Sequence, residues 1–358
     1  MDEQYTPIIS EEERAARRAQ RAKARKKKQQ ALRRRRMKQL FPAAVFLLVL
    51  AVVLLVQGGK KQPVPDETDT PGVLPVSVLD IAPEEPPKPY SATETASTVH
   101  LSDDIDSSYA VVIDLQTDTI LAEKSAHTVI SPASMTKIMT LLVAAEHVTN
   151  LDDTTTITIE MTDYCFVNGC SVVGYEIGAS ATIRELLYGT ILPSGADASL
   201  ALAAYVAGSQ EAFVELMNEK AAELGLSDTT HFTNCVGIYS EDHHCTVYDM
   251  AMILKAAMDN DLCREVLSAH TYQTAPTEQY PEGQPLSNWF LRRIEDYDKD
   301  QAVRAVGAKT GYVVQSGSCA ASWGESAGGN RYICVTGDAS SSWKAIFDHV
   351  ALYQTYCN

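Results

Sequence analysis

Aromatic side chains other than tyrosine are scarce in this 358-residue chain: three Trp and seven Phe stand beside 16 Tyr, in no spacing that calls for a ligand groove. No segment repeats, which excludes solenoid and propeller architectures. Positive charge is scarce too, except in one place. Residues 1–39 hold 14 of the 30 Lys and Arg against five Asp and Glu, so the remainder is more acidic than the net −16 of the whole chain. An acidic body excludes nucleic acid as a natural partner, because phosphate binding needs a concentrated positive face. At 45% hydrophobic and 21% charged, the chain is too apolar to be disordered and long enough for one or two buried cores.

The basic tail must answer to another surface. From Leu40 to Val56 run 17 residues without a charge, the lower limit for a helix that spans a hydrocarbon core, and no polar face marks the stretch as an ordinary core helix. Arg33 to Arg36 and Lys38 precede it and only Lys60 and Lys61 follow closely, so the N-terminus is expected on the cytoplasmic side and the rest outside. No small-x-small cleavage site follows, which favours an uncleaved anchor over 40–59. The tail itself reads equally as a lipid-attracted helix or a solvated topogenic segment. Between Lys60 and Pro89 lie eight of the 15 prolines, a spacer composition that prefers extended geometry. The reading is therefore a cytoplasmic tail (1–39), an anchor (40–59), a Pro-rich linker (60–97) and one folded domain (98–358).

All eight cysteines fall after the anchor, where an oxidising exterior permits disulfides. Cys319 and Cys334 flank a Gly328-Gly329 turn, and a hairpin would set them about opposite each other; free buried thiols are the alternative. Cys235, His243, His244 and Cys245 suggest zinc, but adjacent His-His-Cys cannot easily all face one tetrahedral ion, and a Cys235 to Cys245 disulfide fits better.

Within the domain, 109–115 and 119–124 read as a hairpin. A helix follows, with Ser131 as N-cap and Pro132 at its first position, apolar nearly all round and so central. Thr182 with Glu185 and Thr246 with Asp249 form capping boxes, Ser209 caps a third helix, and the last helix starts near Ser342. Strands at both ends with helices between them predict an α+β fold whose terminal strands share one antiparallel sheet.

Ser134 and Lys137 share a face of the buried helix at an i, i+3 spacing. A serine hydroxyl is a poor nucleophile until a base takes its proton, and Lys137 can be that base if burial lowers its pKa. The motif alone is weak, since Ser341 and Lys344 repeat it at a solvated helix start. Ser194 and Gly195 sit at a turn between apolar helices, and Lys309-Thr310-Gly311 sits on a predicted strand. This last piece is no phosphate loop, lacking the glycine pattern, but a cation beside a glycine suits a carboxylate. If Lys309 lies about 4 Å from Lys137, repulsion of roughly 4 kcal/mol at effective dielectric ~20 helps keep Lys137 neutral.

Ser134-Met135-Thr136-Lys137, Ser194-Gly195-Ala196 and Lys309-Thr310-Gly311 together resemble the three-motif signature of the penicillin-recognising serine enzymes. Within that group, SPASMTKIMT, LLYGTILPSGADAS, FVELMNEKAAELGL with HFTN, and GAKTGY resemble the low-molecular-mass D-alanyl-D-alanine carboxypeptidases over about residues 105 to 340. The resemblance implies a β-lactamase-like fold, with a five-stranded antiparallel sheet flanked by helices and an all-helical subdomain. It implies Ser134 as nucleophile, Lys137 as general base and Ser194 as proton relay. Lys309 and Thr310, with Gly195 and Gly311 beside them, would hold the substrate's terminal carboxylate, and the N–H groups of Ser134 and Tyr312 would form the oxyanion hole. The implied reaction is hydrolysis of the terminal D-Ala from peptidoglycan stem peptides through an acyl-enzyme, inhibited covalently by β-lactams, with no metal or other cofactor. The glutamate motif of class A β-lactamases has only a misplaced counterpart, Glu215 to Asn218, and the 115 residues from Ser194 to Lys309 are more than such an enzyme has. The second motif usually ends in Asn and here ends in Ala196, which leaves a β-lactamase-type hydrolase or a catalytically weak wall-binding protein as alternatives.

Overall fold

The computed structural model describes residues 90–277, 280–297 and 303–357. Every described residue belongs to one compact unit, Pro83–Asn358. The expected anchor at 40–59, the tail and most of the linker lie outside the described residues. Among the described residues no helix is long and apolar enough to cross a membrane.

Six strands make the central sheet: β1 (Thr93–His100), β2 (Tyr109–Asp114), β3 (Thr119–Lys124), β8 (Val303–Val313), β9 (Gly317–Ser326) and β10 (Arg331–Ala339), in the order β1-β3-β2-β10-β9-β8. Strands from the two ends of the described chain meet where β2 pairs antiparallel with β10. Two short ribbons lie outside this sheet, β4 (Thr154–Thr156) with β5 (Ser180–Thr182) and β6 (Thr271–Gln273) with β7 (Pro285–Ser287). The helices are α1 (Lys137–His147), α2 (Ile159–Asn168), α3 (Ile183–Ile191), α4 (Ala196–Ala207), α5 (Gln210–Glu223), α6 (Val247–Asp259), α7 (Asp261–Ser268), α8 (Trp289–Tyr297) and α9 (Ser342–Tyr356).

Alternation along the strands separates two cores. Val111, Ile113, Ile333, Val335 and Ala321 face the larger one with α1 and α3 to α7, whereas Ala110, Val112, Tyr332, Cys334 and Ala320 face α8 and α9. Both faces of the sheet are thus covered, and its β8 edge is left beside the start of α1.

The expected hairpin, both capping boxes and the Ser209 cap are present, and the last helix starts at Ser342 as expected, capped by Ser341. Three expectations fail. The sheet has six strands instead of five and is mixed, because β1 runs parallel to β3, beginning at Thr93, ahead of residue 98. Its pairing breaks between Glu94 and Val99, so no simple alternation marked it as a strand. Ser131 caps nothing: its buried hydroxyl has no hydrogen-bond partner, and Ala133–Thr136 form a 3-10 turn before α1 begins. The disulfide pairings are absent, all eight cysteines being free thiols. In the β9–β10 register Cys334 faces Ser322, three residues from Cys319; an odd offset puts the two sulfurs on opposite faces of the sheet.

Candidate active site

The turn that carries Ser134 is bent by its neighbours. Ala133 adopts φ 46°, a left-handed conformation that costs an alanine roughly 1–2 kcal/mol. Two glycines pack onto it from other segments. A Cβ on Gly237, itself at φ 82°, would lie 1.9 Å from the Ala133 carbonyl oxygen, and one on Gly311 would lie 2.9 Å from that of Pro132. The loop 234–238 and strand β8 thus clamp the turn so that Ser134 opens onto the cleft while the next residues enter a helix buried from Lys137 to Ala144.

Lys137 heads that helix at 2% exposure, with Nζ 3.0 Å from Ser134 Oγ and 2.6 Å from the Val236 carbonyl oxygen. Burial, which penalises the ammonium, pulls its pKa down to about 8 against the opposing influence of Cys170, Cys235, Cys165 and Asp197. Across the cleft, Lys309 on β8 is equally buried, and its Nζ donates to Ser194 Oγ at 2.9 Å and to the Thr310 carbonyl at 2.8 Å. Burial first, and then the Lys137 charge, holds its pKa well below the ordinary lysine value. The expected dependence is therefore inverted: burial lowers the Lys137 pKa, and charge on Lys137 weighs on Lys309.

Ser194 is a second residue with positive φ, 62°. Gly195 follows as the N-cap of α4, and a Cβ there would lie 2.7 Å from both the Gly189 carbonyl and Val173 Cγ2. Ala196, where the resemblance leads one to expect Asn, is fully buried in the larger core, its N–H donating to the Ser171 carbonyl at 2.8 Å. The cleft holds about 360 Å³ and is lined by Ser134, Lys137, Ser194, Thr310, Gly311 and Tyr312, the last 65% exposed. The eight residues picked from sequence are thus brought together, all but Gly195 and Lys309 lining the cleft and these two lying directly behind it.

Sequence reasoning missed the loop that supplies the Val236 carbonyl. Asn234 Oδ1 accepts from the N–H groups of Val236, Gly237 and Ile238 at 3.2, 2.7 and 3.0 Å, and its amide donates to the Ile238 carbonyl at 2.9 Å. The Asn-x-x-Gly spacing was the available signal. Also missed were Asn168 to Ser171 at the end of α2, and Trp289 and Ser342, which line the cleft too. The suspected zinc residues serve this scaffold. His243 accepts from the Thr233 N–H at 3.0 Å through Nδ1 and meets Thr136 Oγ1 at 2.8 Å through Nε2, so both ring nitrogens are engaged within the protein. Glu215 points to solvent from α5, outside the cleft.

Residues 93–341 match the family described as D-alanyl-D-alanine carboxypeptidase, peptidase S11. Among curated relatives, D-alanyl-D-alanine carboxypeptidase DacF of Bacillus subtilis is 38% identical over 146 residues, which cover 41% of this chain and 37% of that one. A D-alanyl-D-alanine carboxypeptidase of Streptomyces sp. strain K15 is 35% identical over 204 residues, covering 54% of this chain and 68% of the relative. The crystal structure of the Streptomyces K15 DD-transpeptidase superposes with a TM-score of 0.64 at 29% identity, over 70% of this chain and 97% of that one. A D-alanyl-D-alanine carboxypeptidase structure from Mycobacterium tuberculosis gives 0.62 at 26% identity, over 74% and 96%. The match to DacF spans little more than a third of that protein's length.

Proposed function

Because the chain belongs to the D-alanyl-D-alanine carboxypeptidase family, we propose that it removes the terminal D-Ala from D-Ala-D-Ala stem peptides of peptidoglycan through a serine acyl-enzyme. One observation carries the reading: a buried amine, neutral above about pH 8, 3.0 Å from a cleft-facing serine hydroxyl. In this mechanism the lone pair of Lys137 takes the Ser134 proton as Oγ attacks the carbonyl carbon of the penultimate D-Ala. The oxyanion is met by the N–H groups of Ser134 and Tyr312, each such donor contributing roughly 2.7–4 kcal/mol. The proton passes through Ser194 to the departing D-Ala amine. Water, activated by the same lysine, then releases the shortened peptide. No step calls on a metal or other cofactor.

Lys309 and Thr310 hold the substrate's carboxylate. Among the described residues Lys309 contacts only neutral oxygens, so a carboxylate entering the cleft supplies the counter-charge that a buried ammonium needs. Penicillins carry a carboxylate and a strained acyl bond, and are expected to acylate Ser134 lastingly. Residues 40–59 would anchor this chemistry outside the cell, a placement that protease accessibility of the folded domain on intact cells would check.

Release of D-Ala from a peptide ending in D-Ala-D-Ala, together with intact mass after incubation with labelled penicillin, tests the proposal. A persistent adduct that Ser134→Ala abolishes supports it. Rapid destruction of the drug would favour a β-lactamase, and a folded protein giving neither adduct nor D-Ala would leave a wall-binding role.

A further inference from the structure

We propose that Cys165 and Cys170 form a dithiol site on the wall of the catalytic cleft, which a hydroperoxide closes to a disulfide and a thiol reductant reopens, and that closure speeds acylation of Ser134. The site is built by the end of α2. Gly169 takes a left-handed φ of 63°, and the Cys170 N–H reaches back to the Cys165 carbonyl at 3.0 Å. This six-residue closure sets the side chains of its first and last residues against each other, and each thiol shifts the proton affinity of the other. Cys165 is 2% exposed, whereas Cys170 is half-buried and lines the cleft beside Ser134 and Lys137. The segment that follows is already fixed. The Ser171 carbonyl takes the Ala196 N–H, and Asp197 accepts the N–H groups of Val173 and Gly174, both at 2.9 Å. A bond between the sulfurs therefore forms within a preset turn.

The accessible thiol is also the more acidic. The Cys165 thiol beside it and then the Lys137 charge lower the Cys170 pKa, while the Cys170 thiol and burial raise that of Cys165. The Cys170 thiolate attacks one oxygen of the hydroperoxide: an S–O bond forms, the O–O bond breaks, and the leaving alkoxide takes a proton to become an alcohol. Cys165 then attacks the resulting sulfenic acid: the S–S bond forms, the S–O bond breaks, and hydroxide leaves with the Cys165 proton as water. Two thiols lose two electrons in total and the peroxide gains them.

A thiolate beside Lys137 stabilises its ammonium, the form that cannot act as a base, and a neutral disulfide does not. This second half rests on the acylation role proposed for Lys137; formation of the bond does not. A half-unit drop in the pH at which Lys137 loses its proton makes acylation about threefold faster at neutral pH.

The test treats the full chain with stoichiometric hydrogen peroxide, alkylates it with N-ethylmaleimide, and maps the modified peptides by mass. Two alkylatable thiols are expected to disappear, at 165 and 170, and to return with dithiothreitol. Labelled penicillin should then acylate the oxidised chain about threefold faster at pH 7, and Cys165→Ala should lose this response. Cys170→Ser gives the same readout should the alanine variant fail to fold. Continued alkylation of both thiols after peroxide, or a sulfinic acid at Cys170 without a bond, overturns the site. A disulfide with an unchanged acylation rate overturns the coupling. Absence of acylation in both redox states counts against the serine mechanism and the coupling together, while the alkylation map still decides the bond.

Discussion

A single side chain outside the three motifs positions the proposed base. Asn234 is 6% exposed and makes four hydrogen bonds to the backbone of its own loop, three accepted and one donated. Those bonds aim the Val236 carbonyl at Lys137 and press Gly237 onto the nucleophile's turn. Asn234→Ala removes all four and strands buried N–H groups. At about 1 kcal/mol per neutral hydrogen bond, the loop loses roughly 4 kcal/mol of restraint. If half of that is expressed as displacement of the Lys137 amine, acylation falls by about 2 kcal/mol, roughly 30-fold.

The assay is the second-order rate of acylation by fluorescent penicillin, followed against pH beside a thermal melt. A merely structural role would lower the melting temperature and leave the pH profile of the folded fraction unmoved. Asn234→Asp separates the two further: its carboxylate still accepts the three N–H groups, but its charge near Lys137 favours the ammonium and should move the acidic limb of the profile to higher pH. Folded Asn234→Ala reacting within twofold of the parent, with the same profile, would refute the positioning argument.

Burial of Lys137 predicts that acylation in the parent rises about tenfold per pH unit up to about pH 8 and levels beyond it; a limb centred above pH 10 would contradict an amine held out of water. His243 and His349 both titrate near 3 in the fold because burial penalises their cations. The unfolded chain, with histidines near 6.5, therefore binds more protons between those values, and the stability that neutral rings confer above about pH 6.5 is lost as pH falls toward 3, at about 1.4 kcal/mol per unit per ring. In urea titrations from pH 6.5 to 4.5, His349→Gln should remove one ring's share of that slope, and parallel curves would count against it. Gly311→Ala places a methyl 2.9 Å from the Pro132 carbonyl and 3.1 Å from the Met135 nitrogen, so acylation should drop while the melt shifts little; full activity would mean that β8 does not set the nucleophile's turn. Ala196→Asn buries an amide in the apolar core at a cost of about 1–3 kcal/mol, and is expected to lower the melting temperature without raising acylation, a gain in rate being the contrary result.

The elements legible in the sequence were those with local signals. Thr182 with Glu185 and Thr246 with Asp249 mark their helix starts by side chains that bond three residues away. The β2–β3 hairpin shows because apolar, β-branched runs flank a short polar turn. What was illegible depends on distant partners. Ser131 looks like a cap until Gly237 and Gly311, more than a hundred residues on, force Ala133 to positive φ and turn the chain away from it. The Cys319 and Cys334 expectation set the two about opposite each other across Gly328-Gly329, although Cys319 lies nine residues before that turn and Cys334 five after it; the ladder is centred on the turn, Arg331 opposite Glu325, and gives Cys334 to Ser322. The Val236 contact to Lys137 is made by a carbonyl oxygen, which any residue supplies, so no side chain announces it.

The two lysines give the site an order of events that their spacing in sequence does not convey. In the free protein both amines are buried and have no carboxylate partner among the described residues, so each is easier to keep neutral than an exposed lysine, and charge on Lys137 disfavours charge on Lys309. On the proposed mechanism a substrate carboxylate reverses this relation. It draws a proton onto Lys309, and the new ammonium then opposes charge on Lys137, at roughly 332/(εr) kcal/mol with an effective dielectric of about 20. The base is thus freed further when a carboxylate occupies the far end of the cleft, so an acyl donor that lacks one loses both a binding contact and the electrostatic push on Lys137.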